Sequence, residues 1–129
     1  MISPDVSDGD RAPTALLVDD DDELAHIFAR ALERVGFSVR RTRTGSEAVA
    51  LVTHVRRLDA AVVDLVLPGV GGIEVVRRIR ATFPACKIVA VTGLADLTVE
   101  QAFRDAGADT FLPKPVELPQ LLDAVGARR

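Results

Sequence analysis

An α/β fold, built on a parallel sheet with helices on both faces, follows from three observations. From residue 14 onward short aliphatic runs alternate with stretches of helical period, five times in succession, the pattern of repeated βα units. Most of the runs are apolar at every position, as strands covered on both faces must be. The chain has 129 residues, 48% hydrophobic and 27% charged, and a mean hydropathy of +0.22. That is enough to bury one core without disulfides, a structural metal or a partner.

The elements follow in order. Residues 1–13 lack a periodic pattern and read as a flexible tail before a unit spanning 14–129. Strands are predicted at 15–18, 38–42, 60–64, 87–91 and 109–112. The second, Ser38-Val39-Arg40-Arg41, is the polar exception and belongs at a sheet edge. Between the first two strands Leu24, Ile27, Phe28, Ala31, Leu32 and Val35 form one apolar helical stripe, with Gly36 as its C-terminal cap. Thr44-Gly45-Ser46-Glu47 is a capping box, and Val49, Val52 and Val55 continue as a helix face. A third helix runs from Gly72 through Ile73, Val76 and Ile79 to Phe83, where Pro84 stops it. Val99, Ala102, Phe103 and Ala106 mark the fourth, capped by Gly107, and residues 117–125 the fifth, through Leu118, Leu121, Leu122 and Val125.

Several function classes drop out on composition. The longest aliphatic runs are far short of the ~20 residues that span a bilayer. The first ten residues have neither a basic start nor an apolar stretch, so no secretory signal is read and a cytoplasmic location is expected. A net charge of −3 and a pI near 5.3 lack the positive excess of a nucleic-acid-binding domain. The arginine groups Arg40, Arg41, Arg43 and Arg77, Arg78, Arg80 have no interleaved aromatics and read as solvated faces. Cys86 is the single cysteine and reads as a small buried strand residue. His26 and His54 lack partners at ligand spacing and read as surface residues.

Crossovers between parallel strands are right-handed, so the five strand C-termini share one edge, where a site belongs. Asp19-Asp20, Asp64, Thr92 and Lys114-Pro115 stand there, at the ends of four of the five strands. Carboxylates crowded together repel one another unless a cation joins them. A hard divalent ion, Mg²⁺ above all, answers that repulsion and leaves open positions for phosphate oxygens. Asp64 beside such an ion can act as a nucleophile toward phosphorus, while the Thr92 hydroxyl and the Lys114 ammonium stabilise the oxygens onto which charge moves.

With these residues in place, the chain resembles a response regulator receiver domain, the phosphoacceptor half of two-component signalling. Four stretches carry the resemblance: Leu16-Leu17-Val18-Asp19-Asp20-Asp21, Val62-Val63-Asp64-Leu65-Val66-Leu67-Pro68-Gly69, Val89-Ala90-Val91-Thr92-Gly93 and Ala106-Gly107-Ala108-Asp109-Thr110-Phe111-Leu112-Pro113-Lys114-Pro115. The resemblance implies a flavodoxin-like, doubly wound sheet in the order 2-1-3-4-5 with five helices. It implies that Asp64 takes a phosphoryl group from a histidine kinase or phosphotransfer protein. It further implies that Asp20 and Asp64 ligate Mg²⁺ directly, Asp19 through water, and Val66 through its backbone carbonyl. Thr92 and Lys114 would contact the phosphoryl oxygens. Phe111 would be the switch aromatic, transmitting the change to the face formed by the fourth helix, fifth strand and fifth helix, for homodimer or output-protein contacts. No nucleic acid or membrane is implied as a direct partner.

Taken singly, each element has a structural explanation. Asp19 to Glu23 lead into a helix and could serve as caps and dipole partners. Asp64 could be a turn aspartate, Thr92-Gly93 a loop start, Lys114 a solvated lysine and Phe111 a core residue. Their joint placement at one edge is what favours a site. Gly71 stands where the family usually carries an aspartate at the cap of the third helix, which implies a looser loop. Val66 and Leu94 are both aliphatic where the family often has a polar group, which implies slow loss of phosphate.

Three other readings compete. A haloacid-dehalogenase-like phosphatase is echoed by Asp19-Asp20-Asp21, yet Glu23 occupies a position where that family expects Thr or Val. A pseudo-receiver would have the fold without phosphotransfer. A flavodoxin-type nucleotide binder would meet consecutive acids where its phosphate loop should be.

Overall fold

The computed structural model describes residues 12–67, 70–93 and 97–126. Parallel strands β1 (Thr14–Val18), β2 (Ser38–Thr42), β3 (Ala60–Asp64), β4 (Lys87–Thr92) and β5 (Thr110–Pro113) form one sheet in the order β2-β1-β3-β4-β5. Every strand lies within one residue of its sequence-predicted bounds. The helices are α1 (Asp22–Arg34), α2 (Gly45–Val52), α3 (Gly72–Thr82), α4 (Leu97–Ala106) and α5 (Leu118–Ala124). Pro68, Gly69 and Leu94, residues 1–11 of the tail expected over 1–13, and the last three residues lie outside the described residues.

Strand alternation divides the core into two layers. Leu16 and Val18 of β1, Ala61 and Val63 of β3 and Ile88 and Ala90 of β4 pack under α2, α3 and α4. Ala15 and Leu17, Ala60 and Val62, and Val89 and Val91 pack under α1 and α5. All of β3 is buried, each valine contributing about 1.5–3 kcal/mol through that burial. β2 is half exposed along its length and stands at the edge, as its polarity requires.

Some sequence readings of the scaffold need correction. Ile27 is 45% exposed, and α1 buries Ala25, Phe28, Ala31 and Leu32 instead. An apolarity count favours the larger side chain, whereas the close approach of α1 to the sheet suits the smaller alanine. α2 ends at Val52, so Val55 follows the helix rather than extending its face, although its N–H still donates to the Leu51 carbonyl. Arg80 is not a solvated residue. Its guanidinium donates to the backbone oxygens of Gly107, Pro84 and Cys86 and pairs with Asp109 at 2.7 Å, tying α3 to the segments that enter β4 and β5. Arg77 and Arg78 do lie on the surface, paired with Glu74. Cys86 is buried as expected, its thiol pushed up to about 12 by burial.

Candidate functional site

The run of acids after β1 is sorted by its local structure. The Asp19 carboxylate accepts the Asp21 N–H at 2.9 Å, turning the chain, and the Asp21 carboxylate accepts the Leu24 N–H at 3.1 Å as the N-cap of α1. Asp22 pairs with Arg41 at 3.0 Å and with Arg43. These two arginines hold its carboxyl below the usual range. Glu23 is exposed in the first turn of α1. Asp19 and Asp20 are left for the cleft, and they differ: Asp19 is 2% exposed and Asp20 lies on the surface.

Asp64 ends the central strand and is 6% exposed. One carboxylate oxygen accepts the Val66 N–H at 3.2 Å, and the other meets the Lys114 ammonium at 3.1 Å. Lys114 reaches it from beyond β5, where its own N–H donates to the Thr92 carbonyl at 2.7 Å. Carboxylate oxygens of Asp19, Asp20 and Asp64 lie within 4.8 Å of one another. Burial raises the pKa of Asp19 and the charge of Asp64 adds to the effect, against the lowering by the Asp21 N–H and Lys114.

This donor set fits a metal ion of the hard class. All three side chains offer oxygen, which suits Mg²⁺ or Ca²⁺, and a divalent charge would relieve the repulsion that burial of Asp19 intensifies. The cluster can therefore hold a metal. A cleft of about 440 Å³ opens over it, lined by Asp20, Asp21, Asp64, Val66, Gly93 and Lys114, and a phosphoryl group is far smaller than that space.

The remaining predicted residues lie around this cleft. Thr92 is fully buried at the end of β4, one residue past the Val91 that stands opposite Asp64, and Gly93 lines the cleft in its place. Val66 is 63% exposed at the cleft. Phe111 is half-buried in β5, its ring 6.1 Å from that of the buried Phe103. Gly71 is the N-cap of α3 and supplies no side-chain hydrogen bond. His26 and His54 are both exposed.

Arg41 was read as part of a solvated face, and here the structure differs. Its guanidinium donates through Nε and Nη2 to the Asp19 carbonyl oxygen, at 3.0 and 2.7 Å. The available signal was its two-residue spacing from Val39, which puts both on the face that turns toward α1.

Known proteins resemble this chain in sequence and in fold. The family model described as the response regulator receiver domain matches residues 15–126. A cyclic di-GMP phosphodiesterase of Thermotoga maritima is 41% identical over 108 residues, which is 84% of this chain and 28% of that protein. The response regulator MprA of Mycobacterium sp. (strain KMS) is 38% identical over 107 residues, 83% of this chain and 46% of that protein. The chain thus spans less than half the length of either relative. A response regulator from Burkholderia pseudomallei, solved with a phosphorylated aspartic acid, a calcium ion and citrate, superposes with a TM-score of 0.81 at 29% identity, covering 88% of this chain and 66% of that one. Among the described residues no helix is long and apolar enough to cross a membrane.

Proposed function

The chain belongs to the response regulator receiver family, the phosphoacceptor domains of two-component signalling, and from that premise we propose that Asp64 is its phosphoacceptor. The observation that carries this reading is the position of Asp64. It is buried at the end of the central strand, with Lys114 on one oxygen and Asp19 and Asp20 beside it, at the floor of an open cleft.

The Asp64 carboxylate attacks the phosphorus of a phosphohistidine on a histidine kinase or phosphotransfer protein. An acyl phosphate forms as the P–N bond breaks and the imidazole leaves with the electron pair. Asp19, Asp20 and Asp64, with the Val66 carbonyl, would hold Mg²⁺, which supplies positive charge against the phosphoryl oxygens. The Lys114 ammonium moves from its pairing with the carboxylate to a phosphoryl oxygen, and the Thr92 hydroxyl donates to another. That movement draws Thr92 toward the cleft and repacks Phe111 against Phe103. The change reaches the surface formed by α4, β5 and α5, which would meet a second copy or an output protein.

Intact-protein mass tests this, on the native chain and Asp64→Asn incubated with a small phosphodonor and Mg²⁺. The expected result is one phosphoryl increment that requires Mg²⁺ and is absent from Asp64→Asn. No increment under any condition would leave a phosphorylation-independent interaction module.

A further inference from the structure

We propose that Arg41 is a positioning residue for the cation-holding loop: by gripping the carbonyl of the Asp19–Asp20 peptide it sets where the Asp20 carboxylate stands. The inference rests on the receiver reading and adds to it a role for a residue on the edge strand.

The three acids are held in different ways. Asp19 is fixed by burial and by the Asp21 N–H, and Asp64 by Lys114 and the Val66 N–H. Asp20 is exposed, and its side chain has no hydrogen bond or ion pair among the described residues. Its placement is therefore inherited from the backbone. That backbone is gripped by consecutive residues of β2. The Asp19 N–H donates to the Thr42 carbonyl at 3.1 Å, and the Asp19 carbonyl accepts two donors from Arg41 at 3.0 and 2.7 Å. The Arg41 side chain is 26% exposed, and its contact with Asp22 at 3.0 Å keeps the guanidinium planted beside the loop. A charged two-donor fork on one carbonyl is among the stronger contacts a side chain offers.

Charge and position predict opposite signs. A guanidinium beside a cation site repels the cation, so removing a residue that acted only by charge would tighten binding. Removing a residue that holds a ligand in place weakens binding, because the cation must then order the peptide itself. Arg43 supplies the control: it shares Asp22 with Arg41 but does not touch the Asp19 carbonyl.

The test is Mn²⁺ titration of the full chain, followed by the electron paramagnetic resonance signal of the free ion, with melting temperatures recorded in parallel. Arg41→Gln and Arg41→Lys are expected to bind Mn²⁺ roughly tenfold more weakly than the native chain at similar melting temperature, and Arg43→Gln within about twofold. Arg41→Lys keeps charge and stem but lacks the fork, and it carries the test if Arg41→Gln does not fold. Native or tighter affinity in the Arg41 variants, or an equal loss in Arg43→Gln, overturns the inference alone. A native chain that binds no Mn²⁺ overturns the receiver chemistry and the inference together.

Discussion

Asp19 is a buried carboxylate beside a second one, and that crowding has a pH signature. Its folded pKa is raised, chiefly by burial, so between the unfolded and folded values the folded chain holds more protons than the unfolded one. Stability from this group is therefore greatest below about pH 4 and is lost as pH rises through the folded value. In divalent-free buffer Asp19→Asn should raise the urea midpoint at pH 7, and the gain should vanish on acidification below about pH 4. A gain that is constant with pH would mean that ionisation is not its source. A divalent cation in excess should reverse the comparison, since the native chain alone keeps all three carboxylates. At the mouth of the cleft Val66 is exposed and cannot orient a water molecule for attack on phosphorus. Val66→Asn should shorten the lifetime of the phosphorylated chain several-fold, followed as loss of the phosphoryl mass increment; an equal or longer lifetime counts against an apolar wall. Residue-level legibility was uneven. Asp19 and Asp20 are alike in the sequence, and only the fold assigns one to the interior and the other to the surface. The spacing of Arg41 from Val39 marks its face of the strand, but its partner could not be read there, because that partner is a carbonyl 22 positions away.

Among the elements, the strands were legible because full burial on both faces forces continuous apolar runs, and the one polar run marked an edge. The helices were less sharply defined. Periodicity identifies the buried side of α1 but does not decide between Ala25 and Ile27, which depends on how closely the helix approaches the sheet. The start of α3 gives a prediction of opposite signs at adjacent positions. A Cβ on Gly72 would stand 2.6 Å from the Asp64 carbonyl oxygen, while one on Gly71 meets nothing within 4 Å. Gly72→Ala should destabilise the chain by about 1–3 kcal/mol by forcing α3 away from the end of β3. Gly71→Ser should stabilise it by a few tenths of a kcal/mol through the missing N-cap hydrogen bond. Chemical denaturation of the two variants checks both, and two losses of equal size would show that the approach to Asp64 is not the constraint.

At the scale of the whole molecule, the gathering of the candidate residues was legible because one topological rule brings together strand ends from distant parts of the sequence. No single acid, hydroxyl or amine pointed to it; the shared edge did. The cleft's shape, the Lys114–Asp64 pairing and the Arg80 tie beneath the opposite edge depend on side-chain reach, which spacing along a chain does not encode. Protection should fall from the middle of the sheet outward. β3 is buried throughout and paired on both sides, β4 is paired on both sides, and β5 is a half-buried edge. Amide hydrogen exchange should be slowest in β3, intermediate in β4 and fastest in β5, and equal rates in β3 and β5 would refute this gradation. The order of the strands then has a mechanical meaning. Asp64 is mounted on the stiffest beam, Thr92 on the next, and Phe111 and the root of Lys114 on or beside the outermost. If Asp64 takes up a phosphoryl charge as proposed, that load would meet the anchored centre of the sheet, and the compliance to answer it would lie at the rim, in the outermost strand.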